Sequence, residues 1–119
     1  MRFHLPSNFI LYNEVGDDMI MKNMSEIKDI LSSDFSVVLA KSHGCGVCDI
    51  TKAQLLPILK EYGVNLTEVY IDDTPEFRGE HLVFTVPTVL VFSNQREMLR
   101  ESRFIDLNKI KRILKLNFE

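Results

Sequence analysis

The sequence contains no tryptophan and only two cysteines, so no network of disulfides staples this chain and no second metal-binding cluster can be assembled from thiols. Glycine and proline are sparse, at five and four, and no Gly/Ser-rich stretch offers a linker at which a second domain could begin. A basic excess is missing too. The 14 lysines and arginines against 17 acidic residues leave a formal charge of -3, which gives a nucleic-acid backbone nothing to hold, so nucleic acid is excluded as an expected partner. No apolar run approaches the roughly 18 residues of a membrane-spanning helix, and the first residues lack a basic segment followed by a long apolar one. The expectation is a cytoplasmic protein with no membrane association. What is present is 119 residues with 45% hydrophobic content, enough to bury one core of ordinary size.

Residues 1–18 read as an N-terminal extension. Pro6 and the polar stretch Asn13 to Asp18 surround one strand-like run, Phe9 to Tyr12. The domain proper is expected over 19–119. A short strand begins at Met19, followed by a helix of about two turns with Ser25 as its N-cap and Ile27, Ile30 and Leu31 on one face. Val37 to Ala40 is apolar without alternation, as a strand buried on both sides should be. After Cys48 the apolar positions Ile50, Ala53, Leu55, Leu56, Leu59 and Tyr62 follow helical spacing, and Gly63 supplies a helix end. Leu66 to Ile71 reads as a strand, Pro75 opens a short helix, and Val86 to Phe92 and Glu97 to Arg103 form a hairpin about Ser93 to Arg96. Asp106 caps the closing helix, with Ile105 and Ile110 spaced as a hydrophobic staple. This order predicts an α/β fold, a central mixed sheet flanked by helices on both faces.

Cys45 and Cys48 fall where a buried strand gives way to the long helix. The free amides and positive dipole end of a helix N-terminus favour an anion, so the Cys45 thiolate is stabilised relative to an ordinary thiol near pKa ~8.5. Residues three apart on a helix are neighbours, within reach of a disulfide. Such a bridge closes only a tight loop and is more reducible than a structural one. Cys45 is therefore the candidate attacking thiol and Cys48 the resolving one. His43 is a candidate modulator, a positive neighbour when protonated, although its Ser and Gly surroundings also suit an exposed loop residue. Zinc ribbons share the C-x-x-C spacing, but a closed zinc site needs four ligands and only Cys45, Cys48 and His43 are at hand, so no metal site is expected. Pro87 must begin a strand, lie at an edge or bulge, or follow a cis peptide bond.

With these landmarks the chain resembles the thioredoxin family over roughly residues 19 to 117. Cys45-Gly46-Val47-Cys48 is similar to that family's redox motif, and Val86-Pro87-Thr88 to its cis-proline segment. The resemblance implies a thioredoxin-like fold and a thiol–disulfide oxidoreductase acting on protein disulfides, without a cofactor. A reductase or low-molecular-weight thiol would recycle it. It also implies substrate contacts from Gly44, Gly46, Val47, Val86 and Pro87, with the Val86 backbone pairing with an extended substrate segment. The chain departs from the family pattern in several places. Gly44 stands for the usual tryptophan and Val47 for the usual proline. Leu39 occupies the place of the family's buried acid and Glu68 that of its lysine partner, so resolution by Cys48 is expected to be slow, its proton going to water or another base. Phe104 or Ile105 stands for a groove glycine. Asp72 and Asp73 match an acidic strand end and read mainly as a solvated turn. These departures keep open a second reading, a non-catalytic binding module with incidental thiols, and a lesser third, a metal-binding C-x-x-C protein.

Overall fold

A computed structural model describes residues 18–21 and 23–119, with side chains from Asn23 onward. The expected strand over Phe9 to Tyr12, and the N-terminal extension apart from Asp18, lie outside the described residues. Among the described residues, five strands and four helices follow in the order β1 (Asp18–Met21), α1 (Met24–Leu31), β2 (Phe35–Lys41), α2 (Gly46–Glu61), β3 (Leu66–Tyr70), α3 (Pro75–Glu80), β4 (Thr88–Ser93), β5 (Arg96–Ser102) and α4 (Leu107–Phe118). The strands form one mixed sheet in the order β1-β3-β2-β4-β5. β1 and β2 both run parallel to β3, whereas β4 pairs antiparallel with β2 and with β5.

The unalternating run predicted for the central strand is explained by its place. β2 is bounded by β3 and β4, and its two sets of side chains enter two different cores. Val38 and Ala40 pack with Ile27 and Ile30 of α1 and Phe77 of α3. Val37 and Leu39 pack on the other face with Leu55, Ile58 and Leu59 of α2 and Ile110 and Leu114 of α4. At about 25 cal/mol per Å² of apolar surface, these two cores are the main favourable contribution to folding.

Local sequence chemistry sets most element ends. Asp106 caps α4 by accepting from the N–H groups of Asn108 and Lys109. The long helix closes as expected at Gly63, whose φ of +67° is the left-handed value glycine tolerates best, and the Val64 N–H then reaches back to the Leu59 carbonyl. Two expectations need correction. The N-cap of α1 is Asn23, not Ser25: the Asn23 side chain accepts from the Glu26 N–H at 2.9 Å, and Ser25 lies inside the helix. β4 begins at Thr88 rather than Val86, since Pro87 has no N–H to contribute to the ladder. The hairpin turn uses left-handed Asn94 and Gln95, at φ 51° and 68°, the pair of values that matches strand twist in two-residue loops.

Candidate active site

Sheet register gathers the predicted site residues at one edge. Lys41 pairs with Tyr70, Ala40 with Thr88 and Thr88 with Ser102. The exits of β2, β3 and β5 and the entry to β4 therefore share one end of the sheet, and the loop carrying His43, Gly44 and Cys45 leaves from the same end.

Cys45 is the N-cap residue of α2, in extended conformation, and its Sγ accepts from the Cys48 N–H at 3.2 Å. The two cysteines are joined by a disulfide with their Cα atoms 5.3 Å apart. Their environments differ sharply, since Cys45 is half-buried whereas Cys48 is fully buried. A helix N-terminus thus presents one accessible sulfur, with the second sealed one turn deeper. Gly46 and Val47 fill the first turn, and Val47 is exposed. Gly44 has φ +74°, a backbone position from which any Cβ is disfavoured, and this accounts for glycine in place of the bulky residue of the resembled motif.

The Val86–Pro87 peptide is cis. Val86 packs partly against the core under α1, and the Pro87 carbonyl accepts from the Arg103 N–H at 2.8 Å, which ties the chain after β5 to the proline. Phe104 follows directly and is 87% exposed, whereas Ile105 packs into the core with Ile110. Phe104 thus stands exposed next to the residue tied to Pro87.

His43 is more than an exposed loop residue. Its ring stacks on Tyr70 with centroids 3.9 Å apart, its Nε2 lies 2.8 Å from Asp73 Oδ2, and its backbone N–H donates to Asp72 Oδ2 at 3.1 Å. Asp72 and Asp73 lie in an exposed turn, as read from sequence, and their carboxylates also hold the loop that leads to Cys45. Among the described residues no group of three His, Cys, Asp or Glu side chains could hold a metal ion.

Sequence reasoning singled out Glu68 but missed its partners, Lys41 at the end of β2 and Lys52 on α2. Leu39 is apolar and buried as expected, but the site does not lack a carboxylate–lysine pair: Glu68, fully buried, accepts from Lys41 Nζ at 2.7 Å. Its other oxygen lies 3.0 Å from Lys52 Nζ, an ion-pair contact outside hydrogen-bond geometry. Lys41 also sits 5.0 Å from the Tyr70 ring centre and 4.0 Å from Asp49 Oδ1. The signal was available, since Lys41 follows Leu39 by two positions and so shares its face of the strand, and a lysine ending a buried strand needs a partner.

The thioredoxin-like protein YdfQ of Bacillus subtilis is 32% identical over 103 residues, covering 80% of this chain and 92% of that protein. The chain belongs to the thioredoxin-like family. No protein-family model matches it. Among solved structures, a mutant thioredoxin from Halobacterium salinarum superposes with a TM-score of 0.76 at 15% identity, covering 87% of this chain and 92% of that one. Oxidised thioredoxin O2 of Arabidopsis thaliana gives 0.72 at 21% identity, covering 87% and 96%. At those identities the likeness establishes the thioredoxin-like fold. Together with a Cys-x-x-Cys pair at disulfide distance, that fold supports thiol–disulfide oxidoreductase chemistry in general. No helix among the described residues is long and apolar enough to cross a membrane.

Proposed function

We propose that this protein reduces disulfide bonds of other proteins, with Cys45 as nucleophile and Cys48 as resolving thiol. The observation that carries the reading is the accessible Cys45 sulfur at the N-cap of α2 beside a fully buried Cys48. In the reduced protein the Cys45 thiolate, favoured by the helix N-terminus and the Cys48 N–H, attacks one sulfur of a substrate disulfide. A mixed disulfide forms and the other substrate sulfur leaves as a thiolate, taking a proton from solvent. Cys48, once deprotonated, attacks Cys45 Sγ, so that the Cys45–Cys48 bond forms as the mixed disulfide breaks. The substrate gains two electrons and two protons, and the cysteine pair is oxidised. A reductase or a low-molecular-weight thiol returns those electrons, and no bound cofactor is required.

Gly44, Gly46, Val47 and the Val86–Pro87 segment form the substrate-facing rim, with the Val86 backbone pairing with an extended stretch of the substrate. His43 modulates Cys45 through the loop it anchors. The reading is tested by reductase turnover on a protein disulfide. Cys45→Ser should abolish it, and Cys48→Ser should trap a covalent mixed disulfide. A wild-type protein with no turnover and an ordinary Cys45 thiol pKa would sink the proposal. Exposed Phe104 beside Pro87 favours one other reading, a partner-binding module with incidental thiols. That reading gains if Cys45→Ser leaves partner capture unchanged.

A further inference from the structure

Among the described residues four that are not glycine have left-handed backbone, and the hairpin turn accounts for two of them, Asn94 and Gln95. The other two are Leu82, at φ 54°, and Arg103, at φ 67°. Both meet the chain between α3 and β4: Leu82 lies within it, and the Arg103 N–H donates to the Pro87 carbonyl. A left-handed leucine is disfavoured and persists only where its surroundings hold it. Arg100 of β5 supplies that hold. Its Nη2 donates to the His81 carbonyl at 2.6 Å and its Nη1 to the Leu82 carbonyl at 3.0 Å, while Nε and Nη2 donate to the two Glu97 carboxylate oxygens at 2.8 Å and 2.9 Å. One planar guanidinium thus bridges an outer strand of the sheet and the chain leaving α3.

The bridge depends on an irregularity in β5. Residues three apart in a regular strand point to opposite faces. Here Arg100 pairs with Leu90 and Leu99 with Val91, but Phe92 then pairs with Glu97, so Met98 is an extra residue, a β-bulge. The extra residue brings Glu97 onto the face of Arg100, the face on which Leu90 and Phe92 pack with Phe77 and Val83. The carboxylate there orients the guanidinium toward the two carbonyls. Beyond Leu82 the chain is fastened at Val83, which is buried with its N–H on the Arg78 carbonyl, and at Thr85, whose carbonyl accepts from Thr88 Oγ1. Phe84 stands exposed between them, and Val86 is only partly buried.

We infer that Arg100, aimed by the bulge at Met98, holds Leu82 left-handed and so sets the path on which the Val86 backbone meets a protein substrate. The inference deepens the disulfide-reductase reading and rests on it. Without the clamp two carbonyls lose their donor and Leu82 is free to leave the left-handed region, which changes the direction in which the chain enters Val83 and the stretch after it. Polypeptides that pair with Val86 are then bound less well. Attack by Cys45 on a small disulfide, which has no backbone to pair, is untouched. Arg100 touches no reacting atom and is a positioning residue.

Steady-state reduction of two disulfides separates binding from chemistry: insulin, a polypeptide able to pair with Val86, and a chromogenic aryl disulfide, which is not. Arg100→Met should raise the KM for insulin by about fivefold to tenfold, keep kcat within about twofold and leave the aryl disulfide rate unchanged. Arg100→Lys should raise KM nearly as far, because an ammonium cannot serve both carbonyls and the carboxylate at once. Adding Leu82→Gly to Arg100→Met should recover much of the loss, since glycine adopts positive φ at no steric cost. Should Arg100→Met not fold, Arg100→Lys decides the matter alone. A wild-type KM in either single variant overturns the inference, as does a parallel fall in the rates on both disulfides, the mark of a general loss of structure. If wild-type protein fails to reduce insulin, it is the reductase reading that falls, and this inference with it.

Discussion

The His43 ring lies flat on the Tyr70 ring, with centroids 3.9 Å apart and planes 4° from parallel, and this stack joins the loop that carries Cys45 to the end of β3. Aromatic pairs of this kind contribute about 0.5–1.5 kcal/mol beyond area burial. Tyr70→Leu should therefore lower stability by about 1 kcal/mol. A double-mutant cycle with His43→Ala in chemical denaturation should return a coupling energy of at least about 0.5 kcal/mol. Strict additivity of the two substitutions would show that the stack contributes nothing.

The two glycines flanking Cys45 should respond differently to alanine. Gly44 has φ +74° and Gly46 opens α2 at an ordinary φ, while neither has an atom within 4 Å of an added Cβ. Space is thus equal and backbone conformation alone differs. Gly44→Ala should cost about 1 kcal/mol or more, whereas Gly46→Ala should be neutral or slightly stabilising. Equal midpoints for the two variants in urea would contradict this.

Val47 is the second residue of α2 and exposed, a place where proline is tolerated because early helical N–H groups lack intrahelical partners. Val47→Pro should stiffen the turn between the cysteines and favour the closed disulfide, lowering the reduction potential by about 10–20 mV. Redox titration against glutathione measures it directly. A potential that rises instead would refute the stiffening argument.

Breaking the buried ion pair on one side should be costly. Glu68→Ala leaves Lys41 buried at 6% exposure, which predicts a loss of about 3 kcal/mol or more. Replacing both partners, as Lys41→Met with Glu68→Leu, should recover most of that loss because two apolar side chains need no compensation. If the double variant is no more stable than Glu68→Ala, the pair's desolvation cost has been overestimated.

Stability should fall with acid in two stages. His81 is half-buried between the rings of Phe77 and Phe92, at 4.7 Å and 5.6 Å, and that desolvation holds its pKa below 6.5. The unfolded chain therefore binds the proton more readily. The contribution is fully present above about pH 6.5 and is lost as pH drops through the lower folded value. Glu97 is held below 4.5 by its hydrogen bond from Arg100, so its contribution is lost only below that range. His81→Phe should flatten the stability profile between neutrality and pH 5 while leaving the lower stage intact. An unaltered slope in this variant would assign the first stage to another group.

The order of elements, the cap at Asp106, the helix end at Gly63 and the thiol pair at a strand-to-helix junction were all legible, because each depends on residues close together in the chain. Local competition blurred only details, such as Asn23 capping where Ser25 had equal chemistry. That a lysine ending a buried strand needs a partner was legible, but which residue each charge would meet across elements was not. Lys41 and Glu68 are 27 residues apart and come together through the parallel register of β2 and β3, and His43 meets Asp73 and Tyr70 by the same geometry. The sequence alone determined that two thiols would sit at a helix N-terminus, because spacing and helix polarity are local properties. Only the tertiary structure decided which cations and rings surround them. Long side chains from separate strands find one another once the sheet has set their register, and in a dry interior each buried charge must then be matched.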